Sequence, residues 1–173
     1  MQIDRKYKIE KAVSTDSMRE NLQNVFVSRH HAMATDGKIL AIVPVQTDKE
    51  DESGWITPDA LKHARKVSGK GLESVTIGLN GAQILPDGTV MTRPDEHKPP
   101  RISHLLRKAH QNSSYRIGIN AACLKDLGDA LGTEELVLEF GQPTEAILIR
   151  PVHHEEGTVG LIMPIRLNER RSS

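Results

Sequence analysis

Three dipeptides fix much of what this chain can become: Asp36-Gly37, Asn80-Gly81 and Asp87-Gly88 each sit between short apolar runs. Such pairs tolerate the positive φ of tight hairpin turns, so they predict antiparallel strands folding back on their neighbours. Around the first turn, residues 22–28 (LQNVFVS) and 38–46 (KILAIVPVQ) flank HHAMATDG and read as a meander. Residues 74–80 (SVTIGLN), 82–88 (AQILPDG) and 89–94 (TVMTRP) read as a second meander. Residues 7–13 (YKIEKAV) alternate as a half-buried strand would.

Helices punctuate this pattern. After the charged loop 46–53 (QTDKEDES), Thr57-Pro58-Asp59 predicts a helix with Thr57 as N-cap, Pro58 at its first position and ALKHARKV as its body. Two prolines and a polar run in residues 95–100 (DEHKPP) mark a boundary, which divides the chain into lobes 1–98 and 99–173. A short basic helix is expected in RISHLLRKAH. Then come a strand (YRIGIN), a helix (AACLKDLGDALG, with Asn120 as N-cap and Gly132 as stop), and the strands ELVLEF, EAILIRP and TVGLIMPIRL. The tail NERRSS reads as disordered. Residues 55–94 and 115–167 share one order, strand, helix, three strands. Residues 7–46 repeat it with the helix lost or shrunk to TDSMREN. The expectation is an α+β fold of antiparallel sheets with short helices on one face, built from βαβββ-like units.

Composition narrows the function classes. Lys plus Arg and Asp plus Glu are both 23, so any contact with nucleic acid must come from a local basic patch. Aromatic residues are 3% of the chain, too few for base-stacking platforms. A single cysteine, Cys123, excludes an internal disulfide and fits a reducing compartment. No apolar run approaches the roughly 18 residues of a membrane span, so a soluble, cytoplasmic protein is expected. Adjacent histidines at His30-His31 and His153-His154 point to opposite faces of a strand and read as solvated rather than metal-binding. Cys123 is expected to be a buried thiol on the apolar face of its helix. No phosphate-binding loop, dinucleotide fingerprint, carboxylate pair or zinc motif is present, so no cofactor, no metal and no enzyme activity are expected.

Three segments go beyond the generic pattern. HAMATDGKILAIVPV resembles the ATDGHRLA turn in the middle domain of bacterial DNA polymerase III beta sliding clamps. PPRISHLLRK resembles the segment linking that domain to the third. YRIGINAACLKDLGDALG through LIMPIRL is similar to the last half of the third domain, including its terminal M-P-M-R-L signature. The resemblance implies the DNA clamp fold and an apolar groove that captures short linear motifs of polymerases and repair proteins. By it, the groove comprises Thr35, Gly37, Lys38, Ile39 and Leu40 from the turn, and Pro100, His104 and Leu105 from the linker. The chain end adds Leu161, Met163, Pro164, Ile165, Arg166 and Leu167. Soft aliphatic side chains suit a wall that repacks around several peptides, and Pro164 requires its strand to be an edge or rim.

The departures are specific. Lys38-Ile39-Leu40 stands where the family has H-R-L, and His104 where it commonly has arginine. Nothing resembles the first domain, and the first half of the third is absent. Clamp rings are lined by basic helices, which assigns Lys62, Arg65, Lys66, Arg101, Arg107 and Lys108 to sequence-independent contact with duplex DNA. The implied function is a processivity or tethering factor that works as a homo-oligomer. A ring of four chains would supply the half-units of a six-domain clamp, with a dimer or a monomer as alternatives. The competing reading is a mimic or decoy that takes clamp-binding motifs, or caps a host clamp, without encircling DNA. A more distant one is a ligand-binding or hydrolytic protein with an accidental likeness to clamps.

Overall fold

The structure, a computed structural model, describes residues 1–69, 71–95, 97–99, 102–111, 116–153 and 158–167, with side chains for all of these except 103–105 and 110. The chain divides into two compact units, Met1–Pro100 and Arg101–Ser173.

The first unit starts with β1 (Gln2–Asp4), followed by two 3₁₀ turns, Ile9–Ala12 and Glu20–Leu22. The alternation in residues 7–13 therefore does not make a strand. Ile9 and Ala12 are the buried pair, three residues apart as a 3₁₀ turn requires, and local bonds such as Lys11 N–H to Lys8 O (3.0 Å) satisfy the amides. The strands β2 (Val25–Val27), β3 (His31–Thr35), β4 (Leu40–Pro44) and β5 (Gly54–Ile56) form an antiparallel sheet in the order β4-β3-β2-β5. The Asp36-Gly37 turn closes the β3–β4 hairpin, and Gly37 has φ 92°, a conformation that costs side-chain-bearing residues.

Helix α1 (Pro58–Val67) begins as the sequence predicts: the Thr57 hydroxyl accepts from Ala60 N–H at 3.2 Å. Gln83, fully buried, holds this cap to the sheet. Its Oε1 accepts from Thr57 N–H (3.1 Å) and its Nε2 donates to Thr92 O (2.7 Å). The expected strand 74–80 is split into β6 (Ser74–Thr76) and β7 (Gly78–Asn80) because Ile77 N–H turns to Met1 O (2.9 Å). β7 joins β8 (Ala82–Ile84) and β9 (Val90–Met91) in a three-stranded sheet, while β6 pairs with β1.

Two halves of this unit exchange strands. The opening strand of the first half, β1, pairs with β6 of the second; the opening strand of the second, β5, pairs with β2 of the first. The exchange merges both halves into one core, where Ile3, Val25, Val27, Ile56 and Val75 are at most 1% exposed. Burying each such aliphatic side chain stabilises the fold by about 1.5–3 kcal/mol.

The second unit contains α2 (Ser103–Gln111), α3 (Ala121–Ala130) and one antiparallel sheet of β10 (Leu136–Glu139), β11 (Ile147–Pro151) and β12 (Gly160–Ile162). Asn120 caps α3, its side chain accepting from Ala122 N–H at 2.9 Å. The core is small: Ile147, Ile149 and Ile162 are buried, with Leu124, Leu127 and Leu131 of α3 packed against them. Residues 116–120 do not form the expected strand, and Tyr115 lies outside the described residues; among those described Gly118 makes a single antiparallel bridge to Ile165. Cys123 is exposed, contrary to expectation. The inward stripe of α3 is Leu124, Leu127, Gly128 and Leu131, an i, i+3, i+4, i+7 set that Cys123 precedes by one residue. The tail 168–173 and His154 lie outside the described residues.

Candidate functional site

The expected groove residues fall in both units, and each set has its own local architecture. In the first unit the β3–β4 turn is held by side chains. Thr35 Oγ1 donates to Ile39 O (2.6 Å) and accepts from Gly37 N–H (3.1 Å). Asp36 Oδ1 accepts from Ile39 and Lys38 N–H, both at 2.8 Å, and these two amides hold its carboxyl below the usual carboxylate range. Arg19, which sequence reasoning passed over, donates to Asp36 O (3.0 Å) and lies so close to Gly37 that a Cβ there would sit 2.7 Å from its Nη1. Arg19 follows Asp16, Ser17 and Met18 in a stretch read only as a shrunken helix, so no local signal marked it. The turn presents Lys38, Ile39 and Leu40 to solvent, with Thr35 half-buried.

In the second unit β12 stops at Ile162, two residues before Pro164, and it is the edge of its sheet. Beyond it the chain stays extended enough to alternate. Leu161, Met163, Ile165 and Leu167 are 63%, 67%, 52% and 45% exposed, whereas Ile162 is 7% exposed and Pro164 half-buried. Arg166 is also exposed. Gly118 makes this course possible, because a Cβ there would lie 2.8 Å from Leu167 Cδ2 and 3.1 Å from Ile165 O. Four exposed apolar side chains at alternate positions, beside an edge of β12 that no strand pairs with among the described residues, can take an extended apolar peptide. Pro100 and the side chains of His104 and Leu105 lie outside the described residues.

The DNA-contact set divides. Lys62 and Lys66 are exposed one turn apart on α1, Lys62 with Asp59 at 3.3 Å. Arg65 is corrected: it turns inward, only 12% exposed, and pairs with Glu10 while donating to Tyr7 O. The reason is helical register. Leu61, Ala64, Arg65 and Ser68 form the inward stripe of α1, so Arg65 flanks the core rather than the solvent. Arg5 caps the same end, donating to the carbonyls of Arg65 and Gly69. On α2, Arg107 and Lys108 are exposed; Arg101 lies outside the described residues. α3 carries Lys125 against Asp126 and Asp129, so it lacks the positive face of α1.

His63 Nε2 lies 2.8 Å from Asp87 Oδ2, which fastens α1 to the β8–β9 turn; this contact and Thr89 N–H bring the Asp87 carboxyl down to about 2. Among the described residues no group of three or more His, Cys, Asp or Glu is placed to hold a metal ion. Among them, too, no helix is long and apolar enough to cross a membrane.

No family model matches the sequence, and no curated protein matches it either. Solved structures do. A DNA polymerase sliding clamp from Bacillus subtilis superposes with a TM-score of 0.65 at 18% identity, over 95% of this chain and 48% of the clamp. The beta subunit of the DNA polymerase of Streptococcus pyogenes gives a TM-score of 0.52 at 14% identity, over 96% of this chain and 66% of the subunit. The chain thus spans about half the length of the first and two thirds of the second. By its strand exchange, its capped helices and this superposition, the chain has the fold of the DNA polymerase sliding clamps.

Proposed function

We propose that this protein is a non-catalytic, sliding-clamp-like tethering factor that is confined on duplex DNA and holds polymerase or repair partners by their short clamp-binding motifs. The observation that carries the reading is the row Leu161, Met163, Ile165 and Leu167, exposed beside a sheet edge on a clamp fold. Monomeric proteins rarely expose a contiguous aliphatic row without a partner for it. The partner's motif lies along this row. Lys62 and Lys66, with Arg107 and Lys108, contact phosphates without reading bases. Confinement on DNA raises the effective concentration of a weakly held motif. The work is done in the cytoplasm by an oligomer.

Two measurements test it. A labelled clamp-binding peptide titrated against wild type and Met163→Ala is expected to bind the wild type and lose about 1–2 kcal/mol in the variant, the value of a partly buried methionine. Absence of binding, or identical affinity, overturns the site. Retention on nicked circular DNA that disappears on linearisation supports encirclement.

A second reading has its own observation. Arg65 is turned inward and Lys62 is paired with an aspartate, so α1 presents few free cations to phosphates. A decoy that takes clamp-binding motifs without DNA would show peptide binding and no retention on any DNA.

A further inference from the structure

The first unit supplies a template for what the second unit lacks. In the first, the opening strand β1 is held on both sides. On one side Gln2 and Gln46, just past β4, exchange backbone bonds of 2.6 and 2.9 Å. On the other, β1 pairs with β6 of the opposite half, as β5 does with β2. Among its described residues the second unit holds, after α2, one such half: residues 117–119, the Asn120 cap, α3, then β10, β11 and β12. Its opening segment keeps the first connection, for Gly118 bridges to Ile165, just past β12, with Ile165 N–H donating to Gly118 O at 2.8 Å. Among the described residues no strand takes the second side, and none pairs with the outer edge of β10.

The vacant places are apolar and carry backbone groups to spare. Ile117, Ile119, Leu136 and Leu138 pack against the small core yet stay half-buried, where their counterparts in the first unit, Met1, Ile3, Val25 and Val27, are at most 2% exposed. Val152 N–H donates to Glu135 O, so in the alternating antiparallel ladder positions 135, 137 and 139 bond to β11. The N–H and C=O of Leu136 and Leu138 then point to the vacant edge. A sheet edge of this kind is a template for another strand.

We propose that two copies of this chain pair through their second units about a two-fold axis, β10 of each taking the vacant side of residues 117–119 in the other. Two half-units thereby close one complete unit of the kind that residues 1–100 form within a single chain. The occupant is a second copy because the missing element is the one this chain itself presents, and an isologous contact supplies both pairings at once. Charge agrees. In the β2–β5 register Ile56 opposes Val25 and Gly54 opposes Val27; transferred, Ile119 opposes Leu136, Ile117 opposes Leu138 and Arg116 opposes Glu139, whose carboxylate already accepts from Arg150 Nε (3.0 Å) in its own chain. The pairing does not depend on DNA or peptide binding, and it is two-fold rather than head-to-tail.

Sedimentation equilibrium over a wide concentration range is expected to give a monomer–dimer equilibrium, with the Leu136, Leu138 and Ile119 amides gaining protection from hydrogen exchange as the dimer forms. Leu138→Pro removes an outward donor and no β10–β11 bond, so it is expected to abolish the dimer while the β11 amides stay protected. Leu138→Ala removes more of the side chain but keeps the donor, and stays dimeric. Arg116→Glu weakens the dimer, and adding Glu139→Arg restores it. A monomer at every concentration, a dimer whose Leu136 and Leu138 amides exchange freely, or a dimer that survives Leu138→Pro overturns the proposal.

Discussion

Replacing Arg65 with alanine separates a structural role from a DNA-binding one, because the sequence places this residue on a basic helix and the structure places it against the core. The guanidinium is 12% exposed and faces a Glu10 side chain that is 7% exposed. Removing it leaves the Glu10 carboxylate nearly buried with no counter-charge, and Glu10 Oε2 already lacks a hydrogen-bond partner among the described residues. It also frees the Tyr7 carbonyl. Breaking a buried pair from one side costs about 3–5 kcal/mol. Water can reach the vacated space beside a 12% exposed side chain, which favours the lower end, about 3 kcal/mol. At an m-value of about 2 kcal/mol/M in urea that lowers the unfolding midpoint by about 1.5 M. Fluorescence of the single tryptophan, Trp55, reports the first unit alone: it is 4% exposed, packed edge-on to Phe26 and bonded to His97 O. The double change Arg65→Met with Glu10→Leu is expected to recover most of the loss, since apolar residues of similar volume replace a buried pair at little cost. Where Arg65→Ala remains folded, its retention on DNA should match wild type. An unchanged urea midpoint, or intact stability with loss of DNA retention, would refute the inward placement.

Further expectations concern neighbouring features. Lys66→Ala should leave stability within about 0.5 kcal/mol and, if α1 faces phosphates, reduce the slope of log affinity against log salt by about one. The Asp87 carboxyl, at about 2 in the folded chain, lies below its unfolded value of about 3.9, so its stabilisation is complete above about pH 4 and is lost as pH falls towards 2. Asp87→Asn should therefore flatten the acid limb of the stability curve across that window, read by Trp55 fluorescence; an unaltered limb would mean that the His63 contact is not formed. Gln83→Leu should cost about 2–4 kcal/mol, because it leaves Thr57 N–H and Thr92 O without their partner at the cap of α1. Gly118→Val meets Leu167 Cδ2 and Ile165 O, so it should displace the chain end and weaken capture of a clamp-binding peptide while circular dichroism stays native.

Local chemistry in this sequence reaches far. The Asp-Gly and Asn-Gly turns and the Thr57 and Asn120 caps all depend on atoms a few residues apart, and each is found where the sequence puts it. The order of elements, with its lost first helix, follows from the same signals. The chain end was legible from its residues only as a strand, and that its side chains stay exposed was implied by the resemblance alone. Arg65 was legible too, at i+4 from Leu61 and one after Ala64, but charge was read before register.

What remained hidden is whatever joins distant segments. Residues 7–13 alternate like a strand, yet they turn as a 3₁₀ segment that buries Ile9 and Ala12. Arg19 reaches the 35–39 turn only because the chain brings it there. Glu10 neutralises Arg65 across fifty-five residues. The sequence by itself determined the turns, caps, helices and their order, because those choices are made by neighbouring backbone and side-chain groups. Only the tertiary structure decided that β1 pairs with β6 and β5 with β2, and that the second unit's strands lack such partners among the described residues, since every short alternating strand offers the same hydrogen-bonding edge and burial alone selects which edge it meets.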